Sequence, residues 1–278
     1  MPSTLKQSVQ FGLQRIGSRL ESELLLCLVL EKPRTWLFSH GDDPLPDSTF
    51  ARFEALLARR HEGEPLAYIL GQREFYGRDF IVNPAVLIPR PETELLIDLA
   101  LGLDLPDNPK VADIGTGSGC IGLSLAAERP AWSVWLSDIS ADALKVAEEN
   151  ARMLGLAQRV HLSRDDLLAA LPAGQQFDVI VSNPPYVAEG DSHLDQGDLR
   201  FEPPTALSSG ADGLDIIRRL VKGADNHLVP GGWLLMEHGF DQAEAVRALL
   251  EENRFQGIAS HCDLAGIERV TMGRTRSD

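Results

Sequence analysis

Lys110-Val111-Ala112-Asp113-Ile114 followed by Gly115-Thr116-Gly117-Ser118-Gly119 limits the fold more than any other stretch. The first five residues read as a buried strand, the glycines break it, and a helix follows from Cys120 to about Glu128, ended by Pro130. Strand, glycine loop and helix open a doubly wound α/β sheet. Glycines let a ligand approach the backbone closely, and the start of the helix supplies free N–H groups. Residues 133–137 alternate as the next strand and end at Asp138, where a carboxylate can accept hydrogen bonds from both ribose hydroxyls. Residues 142–154 read as a helix. A third short strand, 159–162, runs into Asp165-Asp166-Leu167.

A fourth apolar run, residues 177–182, stops at Asn183-Pro184-Pro185-Tyr186. Neither proline can donate to a ladder, so the strand ends abruptly. The turn offers the Asn183 side-chain oxygen and the Pro184 carbonyl, has no N–H at positions 184 and 185, and carries the aromatic face of Tyr186. A surface rich in acceptors and poor in donors suits a flat NH2 group. A plain turn that stops a strand is the structural alternative, since Asn-Pro is a common turn signal; the glycine loop upstream favours the functional reading. On that reading Asn183, Pro184 and Tyr186 are the catalytic residues. The two oxygens each accept one N–H, and the ring packs against the amide plane.

Two cofactor classes compete for the glycine loop. A G-x-G-x-x-G at Gly117, Gly119 and Gly122, with Asp138 downstream, keeps a dinucleotide open. However, the strand already breaks at Gly115, which puts Gly122 inside the helix as a packing position. The Asp113 carboxylate just before the glycines also disfavours a pyrophosphate and favours a cation, directly or through water. S-adenosylmethionine has an ammonium, a sulfonium and an adenosine, and no phosphate. A coherent pocket has Asp113 at the amino-acid end, Gly115, Thr116, Gly117, Ser118 and Gly119 along the backbone, and Asp138 on the ribose. Asp166 and Leu167 then serve the adenine amine and ring face, with Asn183 beside the methyl group. The alternative is that these are ordinary strand-end carboxylates.

The 278 residues allow one large domain, or a medium one plus a small one. Residues 1–65 read as a helical bundle with a substrate-recognition role. Ser18 and Glu21 have capping-box spacing, the helix they start ends before Pro33, and residues 47–61 are amphipathic. Trp36, Leu37 and Phe38 are expected to plug its core. Residues 66–88 read as a β-hairpin linker turning near Gly77, and residues 89–278 as the catalytic domain, with Pro91 at a helix start. After Tyr186 comes a long aperiodic stretch, 187–207, of the kind that forms lids or binding loops. A helix over 214–228, a strand ending at Glu237, a helix over 242–253 and two final strands, 258–262 and 267–272, complete seven strands. The last two are expected to be antiparallel because a short loop joins them.

The formal net charge of −15 makes nucleic acid an unfavoured partner and argues for a basic or neutral one. Cys27, Cys120 and Cys262 are far apart in apolar surroundings, which suggests reduced core thiols in a cytoplasmic protein. No His, Cys or carboxylate cluster has ligand spacing, so no metal is expected. The start is polar, which argues against a signal peptide. The apolar run Leu24–Leu30 is far short of the ~20 residues of a membrane span, so no membrane association is expected. Nothing points to an obligate dimer, and a monomer is expected.

Val86-Leu87-Ile88-Pro89-Arg90-Pro91-Glu92-Thr93-Glu94, Asp113-Ile114-Gly115-Thr116-Gly117-Ser118-Gly119, Asn183-Pro184-Pro185-Tyr186, Arg200-Phe201-Glu202-Pro203 and Glu268-Arg269-Val270-Thr271 carry a resemblance along almost the whole chain. Together they resemble the bacterial release-factor glutamine N5-methyltransferases of the HemK/PrmC type. The resemblance implies a seven-stranded, Rossmann-like class I methyltransferase sheet that uses S-adenosylmethionine. It also implies a protein substrate, the glutamine of the Gly-Gly-Gln motif in class 1 peptide-chain release factors. Arg90 and Glu202 would lie near the cleft and join Asn183, Pro184, Pro185 and Tyr186 in binding that substrate. The position after Asp166, often aromatic in the family, is Leu167 here. Asn-Pro-Pro-Tyr is shared with methyltransferases acting on the amino groups of adenine and guanine, so a nucleic-acid enzyme is the alternative. A non-catalytic cofactor-binding module is a further one, disfavoured by the intact tetrapeptide.

Overall fold

The computed structural model describes residues 3–169 and 174–277. The chain divides into two compact units, Met1–Gln72 with Gln196–Phe201, and Arg73–Asp195 with Glu202–Asp278.

The first unit holds α1 (Leu5–Ile16), α2 (Arg19–Leu30), α3 (Arg34–Ser39), α4 (Asp47–His61) and α5 (Leu66–Leu70). Ser18 caps α2 by accepting from the Glu21 N–H at 3.2 Å. The return half of the expected capping box is absent, because the Glu21 carboxylate is taken by Arg60 of α4 at 2.7 Å. Leu25, Leu26, Phe53 and Leu57 are fully buried between α2 and α4. Of the three residues expected to plug this core, Leu37 is buried in it, Trp36 packs half-buried against it, and Phe38 stays outside. Trp36 stacks on His40 at 4.0 Å, and Phe38 lies 69% exposed with the Arg34 guanidinium over its ring. A six-residue helix can turn only one face inward, and three consecutive residues point to different faces.

In the second unit β1 (Gln72–Phe75) and β2 (Arg78–Ile81) form the expected hairpin. Its turn residues Tyr76 and Gly77 both have positive φ, as a two-residue hairpin turn of the right twist requires. Residues 66–70, expected to begin this linker, are helical instead. The hairpin itself belongs to the core of the second unit, with Phe75 and Phe80 buried in one of its apolar clusters. The order then runs α6 (Glu94–Leu101), β3 (Lys110–Ile114), α7 (Cys120–Glu128), β4 (Ser133–Asp138), α8 (Ala141–Met153), β5 (Val160–Arg164) and β6 (Phe177–Ser182). It continues through α9 (Asp215–Ala224), β7 (Leu228–Glu237), α10 (Ala243–Glu252), β8 (Gln256–Cys262) and β9 (Glu268–Arg274). The helix expected to reach residue 228 stops at Ala224, because Leu228 already pairs with Phe177 in the sheet.

The seven strands lie in the order β5-β4-β3-β6-β7-β9-β8, parallel except for β9, which runs antiparallel to both β7 and β8. Alternation splits the strand residues between two apolar clusters: Val111, Val179, Val181 and Leu235 enter one, Ala112, Ile180, Leu234 and Met236 the other. Connections leave β3 and β6 in opposite directions along the sheet, which creates a crevice beyond their carboxyl ends. The stretch 187–207 carries three short 3-10 turns, and Val187 bridges to Ser208. Cys27 and Cys120 are buried as expected. Cys262, at the end of β8, is exposed.

Asn150 of α8 ties this unit together. Its Oδ1 accepts from the Ile81 N–H at 2.7 Å, and its Nδ2 donates to the Ile81 and Ser118 carbonyls at 3.0 and 2.8 Å. The side chain is fully buried. Asn150→Ala strands three main-chain groups away from water and is expected to lower stability by roughly 3 kcal/mol. Urea unfolding of the whole chain measures this, and an unchanged midpoint would mean the amide is dispensable.

Candidate active site

A cavity of about 380 Å³ opens at the carboxyl ends of β3, β4 and β6. Gly115, Thr116, Gly117 and Ser118 form one wall and Asn183 with Pro185 another. Gly115 and Gly117 have φ of 72° and 56°, a backbone region that disfavours any side chain, and their Cα hydrogens face open space. The Gly115 and Thr116 N–H groups both donate to the Ser137 carbonyl at 2.9 Å, which curls the loop over the end of β4. Gly119 caps α7 and lies outside the wall. Gly122 is a packing position, since a Cβ there would meet Leu136 Cδ2 at 2.1 Å.

Asp138 lines the cavity. Its Oδ2 accepts from the Gly117 N–H at 2.9 Å and its Oδ1 from the Ser140 N–H at 2.8 Å, leaving lone pairs on both oxygens. Burial raises its pKa against these bonds. Asp166 and Leu167 also line it. The Asp166 carboxylate is paired with Arg219 at 2.8 Å, and Leu167 is held at a φ of 62°, turned against the usual preference of a branched side chain.

Asp113 does not reach the wall. It is fully buried, its Oδ2 accepting from the Thr116 hydroxyl at 2.6 Å and the Gly122 N–H at 2.9 Å, while Oδ1 has no hydrogen-bond partner. As an inner residue of β3 its side chain turns towards α7 and braces the glycine loop from behind. Burial, reinforced by the charge of Asp138, raises its pKa to about 6.

On the other wall the Asn183 Nδ2 donates to Thr93 Oγ1 at 3.2 Å, which leaves the acceptor Oδ1 available. The Pro184 ring is buried and the Tyr186 ring is packed against the second apolar cluster, so neither ring lines the cavity. The Tyr186 hydroxyl donates to Glu237 Oε1 at 3.3 Å, and its carbonyl accepts from Gln242 Nε2 at 2.9 Å. Burial raises the phenol's pKa, with the Glu237 charge adding to it. Gly213 crosses so close that a Cβ there would meet the Tyr186 carbonyl oxygen at 2.2 Å. Arg90 lines the cavity and pairs with the buried Glu202, whose other oxygen accepts from the Ile88 N–H at 3.2 Å. Glu202 is therefore behind the wall, holding Arg90.

Thr93, Arg219, Gln242 and Glu237 were not singled out by the sequence. Thr93 sits inside a quoted motif, and Glu237 ends a strand on the same edge as Asp138 and Asn183, which is the one signal that could have found it. Glu237 is fully buried, and burial together with the charge of Glu92 raises its pKa to about 7 against Thr93, Tyr186 and Arg269. Among the described residues no helix is long and apolar enough to cross a membrane, and no group of His, Cys, Asp and Glu could hold a metal ion.

The PrmC N-terminal domain family matches residues 13–71 and the methyltransferase small domain family residues 92–199. The chain is similar to a release factor glutamine methyltransferase of Neisseria gonorrhoeae, 50% identical over 95% of each chain. It is equally similar to one of Bordetella pertussis, 50% identical over 92% of this chain and 94% of that one. A solved methyltransferase from Pyrococcus furiosus shares the fold at a TM-score of 0.56 and 16% identity, covering 79% of this chain and 97% of that one.

Asp113 and Glu237, the carboxyls raised furthest, link stability to pH. Each binds a proton more tightly in the folded state, so the stability it contributes is complete below its unfolded value of 3.8 or 4.5 and is lost as pH rises through about 6 for Asp113 and about 7 for Glu237. Asp212, pulled down to about 2 by Arg218, titrates well below this window. Unfolding free energy is expected to fall by a few kcal/mol between about pH 5 and about pH 8. Urea titrations across that range give the slope, and a rise instead would contradict the assignment.

Proposed function

The chain belongs to the release factor glutamine methyltransferases, and from that premise we propose how its residues transfer a methyl group from S-adenosylmethionine to the side-chain amide of the glutamine in the Gly-Gly-Gln motif of class 1 peptide-chain release factors. One observation carries the reading. The Asn183 amide is tied back through its nitrogen to Thr93, so its oxygen is the atom offered beside the glycine loop.

The pocket fits a cofactor without phosphate. Its lining cations, Arg90 and Arg219, are each engaged by a carboxylate, which leaves no lining cation unpaired for a pyrophosphate among the described residues. Gly115 and Gly117 allow close backbone approach, and Asp138 has lone pairs for two ribose hydroxyls. Leu167 offers an aliphatic face to adenine, and Asp113 acts indirectly by fixing the loop. When bound, S-adenosylmethionine supplies an electrophilic methyl on a sulfonium.

An amide nitrogen is a poor nucleophile because its lone pair is shared with the carbonyl. Asn183 Oδ1 and the Pro184 carbonyl each accept one N–H of the substrate amide and aim the nitrogen's remaining density at the methyl carbon. Methylation would build positive charge on the substrate nitrogen held by Asn183 Oδ1 and the Pro184 carbonyl. Both acceptors then bind more strongly than in the ground state, which lowers the barrier. The N-methylated amide loses one proton to water afterwards, so no base is required beforehand. Pro185 shapes the wall, Tyr186 anchors the turn through Glu237, and Arg90 with Glu202 frames the entrance. Three free cysteines and a substrate from the translation machinery support a cytoplasmic location for this reaction, and we take the enzyme to act as a monomer.

Incubating the purified chain with radiolabelled S-adenosylmethionine and a release factor tests this. Label is expected in the wild-type factor and absent from one whose motif glutamine is replaced by alanine; label in DNA or RNA instead would overturn it. Asn183→Ala is expected to abolish turnover while cofactor affinity by isothermal titration stays within about threefold. An equal loss of both would refute the division of labour.

A further inference from the structure

Glu237 lies outside the cavity, yet it is connected to both ends of the Asn183–Tyr186 turn. Its Oε1 accepts the Tyr186 hydroxyl at 3.3 Å. The Thr93 hydroxyl lies on the carboxylate's side of the turn and favours its charged form, while Oε2 has no hydrogen-bond partner and is free to accept one. Thr93 in turn accepts from Asn183 Nδ2.

An ionised carboxylate can only accept. With its proton directed at Glu237, the Thr93 hydroxyl has only lone pairs to offer Asn183, which must then present its NH2. That leaves the Asn183 oxygen for the substrate. The opposite flip would set an NH2 group against the substrate's own NH2, donor against donor. We propose that Glu237 is a positioning residue for methyl transfer: through Thr93 and Tyr186 it fixes the direction of the hydrogen bonds that hold Asn183 with its acceptor towards the substrate nitrogen. This deepens the reading above and rests on it.

The same logic makes the orientation depend on the ionisation of Glu237. A protonated carboxyl carries a donor of its own, which releases the Thr93 proton to Asn183 Oδ1 and permits the flip. The charged or titratable groups facing Glu237 are Glu92 before α6, which opposes its ionisation, Arg269 of β9, which favours it, Tyr186 after β6, and Cys120 of α7, which feels its charge. Activity is therefore expected to decline as pH falls through about 7.

The test compares wild-type chain with Glu237→Gln, Thr93→Val and Thr93→Ser, using a release factor and radiolabelled S-adenosylmethionine, with cofactor Kd by isothermal titration and melting temperature alongside. Glutamine keeps the shape but always carries a donor. Glu237→Gln is expected to lower kcat about tenfold or more, with cofactor Kd and release-factor KM within about twofold, and to flatten the acid limb of the kcat profile. Thr93→Val should lose a similar factor, and Thr93→Ser should regain most of it. A Gln variant with wild-type kcat above pH 7, or a loss confined to cofactor affinity, overturns the proposal. Should the Gln variant fail to melt cooperatively, the two Thr93 variants decide alone, equal activity in both overturning it. If the wild-type chain leaves the release factor unlabelled, the substrate reading fails instead, a result distinct from any of these.

Discussion

The pairing of β3 with β6 is the constraint on which the site depends. Ile114 stands opposite Ser182 in the ladder, and the Ser182 hydroxyl adds a bond to the Ile114 carbonyl at 2.7 Å. Those are the last residues before the glycine loop and before the Asn183–Tyr186 turn. Fixing them side by side sets the distance between a backbone that can approach a ligand and an amide that can grip one. A slip of one residue would move every side chain of β6 to the other face and turn Asn183 away.

Around that fixed edge the polar groups are arranged in depth. Asp138, Asn183, Thr93 and Arg90 line the cavity; Asp113 and Glu202 stand behind them; Glu237 stands behind Thr93. Asn183 and Arg90 each have a buried partner, Thr93 and Glu202, that takes one hydrogen-bonding position and leaves another for a ligand. Asp113 and Glu237 are costly to keep charged so far from water, and the protein tolerates that because neither is replaceable by an apolar side chain without freeing the group it restrains.

The strand pattern was readable because burial on both sheet faces leaves short apolar runs ended by glycine, proline or a carboxylate. The glycine loop and the tetrapeptide were readable for the same reason: they break strong patterns. Position along the chain could not separate Asp113 from Asp138. One residue of parity does so, since Asp113 is inside its strand and turns towards α7, whereas Asp138 is the final residue of its own and opens to the crevice. Thr93 and Glu237 were hidden because their partners lie 90 and 51 residues away. Phe38 misled by its hydrophobicity, which says nothing about which side of a short helix it occupies.

The helical unit is not a continuous piece of chain, because it includes Gln196–Phe201. Asp198 lies 3.6 Å from Arg60, and Arg200 donates to the Glu62 carbonyl, so that short insert is bonded into the end of α4. A ribosome delivers these pieces far apart in time. The bundle emerges first and must wait, with Arg60 and the Glu62 carbonyl still hydrated, until six strands and the segment beyond them have left the exit tunnel. Truncation after residue 72 would leave that vacancy permanent.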